Sequence, residues 1–259
     1  MEKQQITFYK ENGYLIIQDI VSSKILDRYL ENIKLIANKD FAAIMNPDRY
    51  EFLIAQCYEL IEKNWSLQKK INFLNLCNKI SKRTLELMRN NNIVSILESI
   101  QGTELVGLMS QMLFKEANSN YSTQAWDPHQ DNSYPRNLNG LYLTTNLFLS
   151  DADKKNGSLY VFPKSHNNGL IDSKLRPSYR EKRGSNPGNK ISKDILFKYK
   201  KIDLNFNKGD LLILHGNLIH GSYPNYSNKS RPLLSCSYIN VGEKFIPGKN
   251  AQRKVINLK

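Results

Sequence analysis

Between Leu105 and Val241 the chain falls into short apolar, β-branched runs, each closed by Gly, Pro, Asn or Asp, and this punctuation constrains the fold more than any other feature. The runs are Leu105 to Phe114, Gly140 to Ser150, Gly157 to Phe162, Lys201 to Phe206, Asp210 to His215 and Arg231 to Val241. Such strands cannot bury their apolar faces singly, so the series predicts two stacked antiparallel sheets, a sandwich or jelly roll. The pattern ahead of Glu104 differs. Phe8 to Ile20, with Asn12-Gly13-Tyr14 inside it, reads as a helix end, a glycine turn and a strand. Ser22 and Ser23 offer N-caps to a helix carrying Ile25, Leu26, Tyr29, Leu30 and Ile33. Ile54, Tyr58, Ile61 and Trp65 then recur at helical spacing, as do Ile71, Leu74, Cys77 and Ile80, followed by Leu85, Met88 and Ile93, to about Leu97. These stripes are packing faces. The expectation is one domain over 1–259, with a mostly helical layer at 1–103 against a strand core at 104–245.

Composition limits the function classes. No apolar run approaches the length that spans a bilayer, so a membrane protein is not expected. Met1-Glu2-Lys3-Gln4-Gln5 lacks the basic, apolar and small-residue segments of a secretory signal, which predicts a cytoplasmic location. Cys57, Cys77 and Cys236 are widely separated, giving neither a disulfide framework nor a zinc knuckle. The net charge of +13 invites a nucleic-acid reading. Lys, Asn and Ile are abundant throughout, however, as in proteins of AT-rich genomes, and the basic residues lack interleaved aromatics and a recognition motif. Nucleic acid is therefore not an expected partner, although a basic nucleic-acid-binding protein with a non-catalytic metal site stands as the alternative of another class. One segment is locally basic: Lys164 to Lys201 holds eleven Lys/Arg against three acids, with Lys174, Arg176, Arg180, Lys182 and Arg183 at its centre. It is longer than ordinary connections and could act as a charged lid over an anionic substrate or be a solvated surface loop.

The candidate chemistry lies in Trp126-Asp127-Pro128-His129-Gln130-Asp131, set in a polar turn region, and in His220, within Leu211 to Ser222 at the end of an apolar strand. Two imidazoles and one carboxylate are the facial ligand set of mononuclear iron(II) sites, which leaves coordination positions open. By itself His-x-Asp is a common spacing in polar loops. His166 and His215 are further histidines, the first in a Pro-x-Ser-His turn and the second five residues before His220.

Several ordered motifs resemble those of the phytanoyl-CoA dioxygenase family of iron(II)- and 2-oxoglutarate-dependent oxygenases. They are His129-Gln130-Asp131, then Asp151 through Asn156-Gly157 to Phe162-Pro163-Lys164-Ser165-His166, then Lys208-Gly209-Asp210 through His220-Gly221-Ser222 to Arg231. The resemblance covers Leu105 to Val241 strongly, and the helical part chiefly through its Asn-Gly-Tyr strand. Lys164 departs from it, since the family usually has glycine in that turn.

The resemblance implies a double-stranded β-helix (jelly roll, cupin-like) core, mainly β with α, buttressed by N-terminal helices. It implies Fe(II) on His129, Asp131 and His220, with 2-oxoglutarate and O₂ as co-substrates and Arg231 gripping the distal carboxylate. The following Gly-Ser and the distance to Arg231 favour His220 over His215. Thr144 and Gln111 align with co-substrate contacts, and Gln124, Trp126, Asn132 and Tyr134 are expected to flank the substrate. Because Asp131 is retained, hydroxylation of an unactivated C–H bond is expected rather than halogenation, with release of succinate and CO₂. The leading substrate expectation is a small anionic metabolite such as a phosphonate; a natural-product, amino-acid-derived or acyl substrate is the alternative. The oligomeric state is not written in these residues.

Overall fold

The computed structural model describes residues 2–36, 64–117, 122–123, 125–171, 190–245 and 255–259. The strands are β1 Tyr14–Ile17, β2 Leu105–Lys115, β3 Trp126–His129, β4 Leu143–Phe148, β5 Leu159–Val161, β6 Ile202–Asp203, β7 Leu211–His215, β8 His220–Ser222 and β9 Arg231–Asn240. The helices are α1 Lys3–Asn12, α2 Ser23–Ile36, α3 Leu67–Met88, α4 Asn91–Gln101 and the single turn α5 Lys193–Leu196.

From β2 onward the strands pair first with last and so inward: β2 with β9, β3 with β8, β4 with β7, β5 with β6, all antiparallel. That is one long hairpin rolled over on itself, the double-stranded β-helix. Further ladders between β4 and β9 and between β5 and β8 complete two sheets, ordered β1-β7-β4-β9-β2 and β3-β8-β5-β6.

The larger sheet is buried on both faces, and this explains the run Leu211-Leu212-Ile213-Leu214. Leu211 and Ile213 pack toward the helices with Leu26, Tyr29, Ile33, Ile80, Met88 and Leu97. Leu212 and Leu214 point the other way, into the space between the sheets, with Phe148, Leu159, Val161, Phe206 and Leu233. A strand covered on both faces loses the apolar-polar alternation of a half-exposed one. The helical stripes are mostly inward as expected, except that Ile25 and Ile71 stay exposed. Ile54, Tyr58 and Ile61 lie outside the described residues, as do Cys57 and residues 172–189 of the basic segment, which include Lys174, Arg176, Arg180, Lys182 and Arg183. Cys77 and Cys236 are buried and outside any disulfide among the described residues.

The turn after β5 keeps its left-handed geometry without the glycine that the family favours there. Lys164 sits at φ 68°, and its backbone N–H donates to Asn12 O at 3.2 Å. A left-handed L-residue costs about 1–2 kcal/mol, of which the greater chain entropy of glycine offsets part. Lys164→Gly is expected to stabilise the protein by roughly 0.5–1 kcal/mol, read as a rise in melting temperature of about 2 °C.

Candidate metal centre

The two histidines meet because β3 and β8 are paired. His129 stands opposite His220 and Trp126 opposite Ser222, so three steps along β3 match two along β8 and the extra residue forms a bulge. The bulge contains Pro128, which gives no N–H to a ladder and is tolerated because β3 is the edge strand of its sheet. The stretch Trp126 to Asp131, expected in a polar turn region, is thus strand over Trp126–His129. Its strand half is short, polar and proline-bearing, and so carries no periodic signal. Gln130 continues the extended backbone, and Asp131 opens a 3₁₀ turn over Asp131–Ser133.

The ligating atoms converge. His129 Nε2 lies 3.4 Å and His220 Nε2 3.6 Å from Asp131 Oδ1, and one ligand atom from each of the three lies within 4.8 Å of the others. His129 Nδ1 donates to Asp127 O at 2.7 Å and His220 Nδ1 to Leu218 O at 3.1 Å. A carbonyl only accepts, so Nδ1 of each ring carries a proton, and Nε2, the nitrogen turned toward Asp131, is the one left to ligate a metal. Burial pulls His220 below the usual histidine range, although Asp131 opposes this. Burial also works against charge on Asp131. His220, His129 and Thr144 outweigh it and hold the carboxyl well below the carboxylate range. Thr144 Oγ1 contributes to that lowering, yet is buried without a hydrogen-bond partner of good geometry among the described residues. Two imidazole nitrogens, an ionised carboxylate and a nearby hydroxyl suit a divalent cation carrying an oxygen-rich chelate.

Two adjoining cavities share Gln111, Trp126, Asp131 and Ser235. One, about 70 Å³ and called inner for holding the triad, brings all three ligands together with Ser222, Arg231, Asn146, Leu113 and Leu233. The other, about 220 Å³ and called outer, adds Met109, Tyr134, Tyr142, Thr144 and Ser237. Arg231, at the head of β9, is 1% exposed, and the inner cavity places it in the same space as the metal ligands.

The sequence profile described as Phytanoyl-CoA dioxygenase (PhyH) matches residues 9–233. The chain belongs to the phytanoyl-CoA dioxygenase family. It is 26% identical over 263 residues to Phytanoyl-CoA dioxygenase 1 of Oryza sativa subsp. japonica, covering 92% of this chain and 89% of that protein. It is 22% identical over 249 residues to a probable alpha-ketoglutarate-dependent hypophosphite dioxygenase of Stutzerimonas stutzeri, covering 92% of this chain and 78% of the relative. The epimerase SnoN in complex with Fe3+, alpha ketoglutarate and nogalamycin RO shares the fold at a TM-score of 0.68 and 16% identity, over 99% of this chain and 95% of that one. As a phytanoyl-CoA dioxygenase family member, the chain is an iron- and 2-oxoglutarate-dependent dioxygenase acting on a small molecule.

The remaining expected site residues divide. Gln111 lines both cavities and donates to Met109 Sδ at 3.5 Å; Trp126 lines both, and Tyr134 the outer one. Asn132 does not line either. Its amide donates to Asn137 O at 2.7 Å and Asn217 Oδ1 at 2.8 Å and accepts from Asn137 N at 2.8 Å, so it braces the loop. Gln124 lies outside the described residues. His166 Nε2 donates to Lys10 O at 3.0 Å, and its ring lies tilted beside that of His215, whose Nδ1 accepts from Asn217 N. This histidine pair braces α1 and the β7–β8 turn.

Sequence reasoning passed over Gln130, whose amide spans three backbone groups: Gly169 O at 2.8 Å, Asn217 O at 2.6 Å and Ile171 N at 2.8 Å. It also passed over the reason for the glycine in His220-Gly221-Ser222. A Cβ at Gly221 would lie 2.6 Å from Trp126 O, so only glycine lets β3 approach β8 this closely. Asn146, Ser222 and Ser235 were missed as well. Alternation would have exposed them, since residues an even number apart on one strand share a face: Asn146 is two from Thr144, Ser222 two from His220 and Ser235 four from Arg231.

Proposed function

We propose that the chain hydroxylates an unactivated C–H bond of a small metabolite, with iron(II) held by Nε2 of His129 and His220 and by the Asp131 carboxylate. The observation that carries this is the single inner cavity containing that triad and the buried Arg231. Arg231 is assigned to the distal carboxylate of 2-oxoglutarate, where a planar guanidinium can donate two parallel hydrogen bonds. Thr144 and Gln111 are assigned to its polar oxygens near the metal. When bound, the iron with 2-oxoglutarate and O₂ supplies the oxidising equivalent, leaving succinate, CO₂ and one oxygen atom for the substrate. The protein's own task is placement: Trp126, Tyr134, Tyr142 and Met109 wall off the approach to the triad, hold one C–H bond near it and keep bulk water out.

For the substrate, the outer cavity offers tyrosine hydroxyls, serines, an amide and apolar surface, and no Lys or Arg among its described lining residues. This favours a substrate whose reacting portion is uncharged. An anionic, phosphonate-like substrate is the second reading, carried by the eight excess positive charges between Lys164 and Lys201 and by the hypophosphite dioxygenase relative. Purified protein with Fe(II), 2-oxoglutarate and O₂ is to be offered two panels, phosphonates with carboxylates, and uncharged hydroxylated or aromatic metabolites. A true substrate should raise succinate release about tenfold over the substrate-free rate and gain one oxygen atom. Stimulation only in the anionic panel would reverse the order of the two readings, and stimulation in neither, despite tight 2-oxoglutarate binding, would sink the hydroxylase assignment.

A further inference from the structure

The inner cavity is backed by a second buried cation that the site as described does not use. Lys115, the last residue of β2, is 0% exposed and stands directly opposite Arg231 in the β2–β9 ladder. Its ammonium donates to Ser222 Oγ at 2.9 Å and to the carbonyl of Tyr223. Both partners are neutral, and among the described residues no carboxylate pairs with it. Burial, with Arg231 beside it, pulls the Lys115 ammonium well below the usual lysine range. The place is built for the side chain: a Cβ at Gly157 would lie 2.9 Å from Lys115 Cδ, and Asn225 Nδ2 donates to Lys115 O at 3.0 Å. The Asn156-Gly157 turn thus makes room for a lysine stem. Burial and Arg231 thus disfavour the charged form of Lys115, and an anionic co-substrate in the adjoining cavity would favour it again.

Ser222 connects this lysine to the cavity. It lies two residues after His220 on β8 and lines the inner cavity with Arg231. With its oxygen accepting from Lys115, its own O–H is left to donate to whatever occupies the cavity.

We propose that Lys115 is a positioning residue for the co-substrate, orienting Ser222 and adding positive potential beside Arg231 so that the inner cavity selects a keto acid with a distal carboxylate. This rests on the assignment of the inner cavity to 2-oxoglutarate. The selectivity lies in charge: an ammonium linked through a hydroxyl discriminates a carboxylate terminus from a methyl terminus, whereas a lysine that merely ties β2 to β8 discriminates nothing.

The test compares two keto acids with the same chelating end, 2-oxoglutarate and 2-oxopentanoate, titrated anaerobically into Fe(II)-loaded protein and followed by the visible absorbance of the chelate. Lys115→Met should weaken 2-oxoglutarate by about tenfold or more, the size of one hydrogen bond to a charged group, and leave 2-oxopentanoate within about twofold. Ser222→Ala should show the same selective loss, and the double variant should lose little more than either single one, because both act along one chain of contacts. Equal weakening of both keto acids, or of neither, would overturn the inference. If Lys115→Met does not fold, Ser222→Ala carries the comparison alone, and unchanged discrimination there overturns it equally. A wild type that forms no chelate with either acid removes the underlying assignment and this inference with it, whereas a wild type that prefers 2-oxoglutarate while both variants keep that preference removes only this inference.

Discussion

Asp131→Ala and His220→Ala should each abolish the absorbance that wild-type protein develops when Fe(II) and 2-oxoglutarate are added without oxygen, and should reduce turnover to background. Each variant removes one of three converging donors from a site where Nε2 and Oδ1 atoms stand 3.4 and 3.6 Å apart. Loss of an outer partner alone typically lowers metal affinity 10–100-fold, so loss of a ligand should exceed about 100-fold. The apo proteins should still melt within a few degrees of wild type, because the ligands sit at a cavity wall and not in the sheet core. Retention of the absorbance in either variant would show that the metal, if bound, is bound elsewhere. Absence of the absorbance from the wild type would remove the iron and 2-oxoglutarate assignment altogether.

Arg231→Met should leave Fe(II) binding intact and weaken 2-oxoglutarate by on the order of 100-fold or more, measured by calorimetric titration under anaerobic conditions. The figure follows from two charge-assisted hydrogen bonds of about 1.5–3 kcal/mol each in a cavity where Arg231 is 1% exposed. Arg231→Lys should recover little, since a point-charge ammonium cannot reproduce the two parallel donors and Lys115 already crowds that side with like charge. If Arg231→Met binds 2-oxoglutarate as wild type does, the co-substrate lies elsewhere and the inner cavity loses its assigned occupant.

The strands that were legible in the sequence are those whose burial repeats. β2, β4, β7 and β9 appear near their expected positions because each presents an apolar face to a defined layer, and β1, β5 and β6 lie inside expected runs as well. The strands that carry the histidines escaped notice. β3 has four residues including Pro128, and β8 has three including Gly221, so neither is long enough to show a period of two. His129, Asp131 and His220 were nevertheless recoverable from motif order, which is independent of secondary structure. Asn132 misled for the opposite reason: adjacency to Asp131 suggested the pocket, but the 3₁₀ turn aims its amide at Asn137 and Asn217. The polar cavity wall was present in the letters as Gln111, Thr144, Asn146, Ser235 and Ser237. Polar residues at inward positions of otherwise apolar strands mark a lined space, but recognising them requires knowing which face is inward.

Pairing first strand with last has a consequence for assembly. Lys115 and Arg231 belong to the outermost pair, and the candidate ligands His129 and His220 to the pair β3–β8 just inside it, with Asp131 two residues beyond β3. A ribosome-bound chain that has emerged only as far as β7 holds His129 and Asp131 but lacks His220, and lacks the cation meant for 2-oxoglutarate as well. With iron on those three residues as proposed, its capture waits for the closing strands, and the metal is expected to latch a finished sandwich instead of nucleating its folding. Long sequence separation between these partners also makes closure the slow event. Iron supplied during refolding should then leave the folding rate unchanged and slow unfolding.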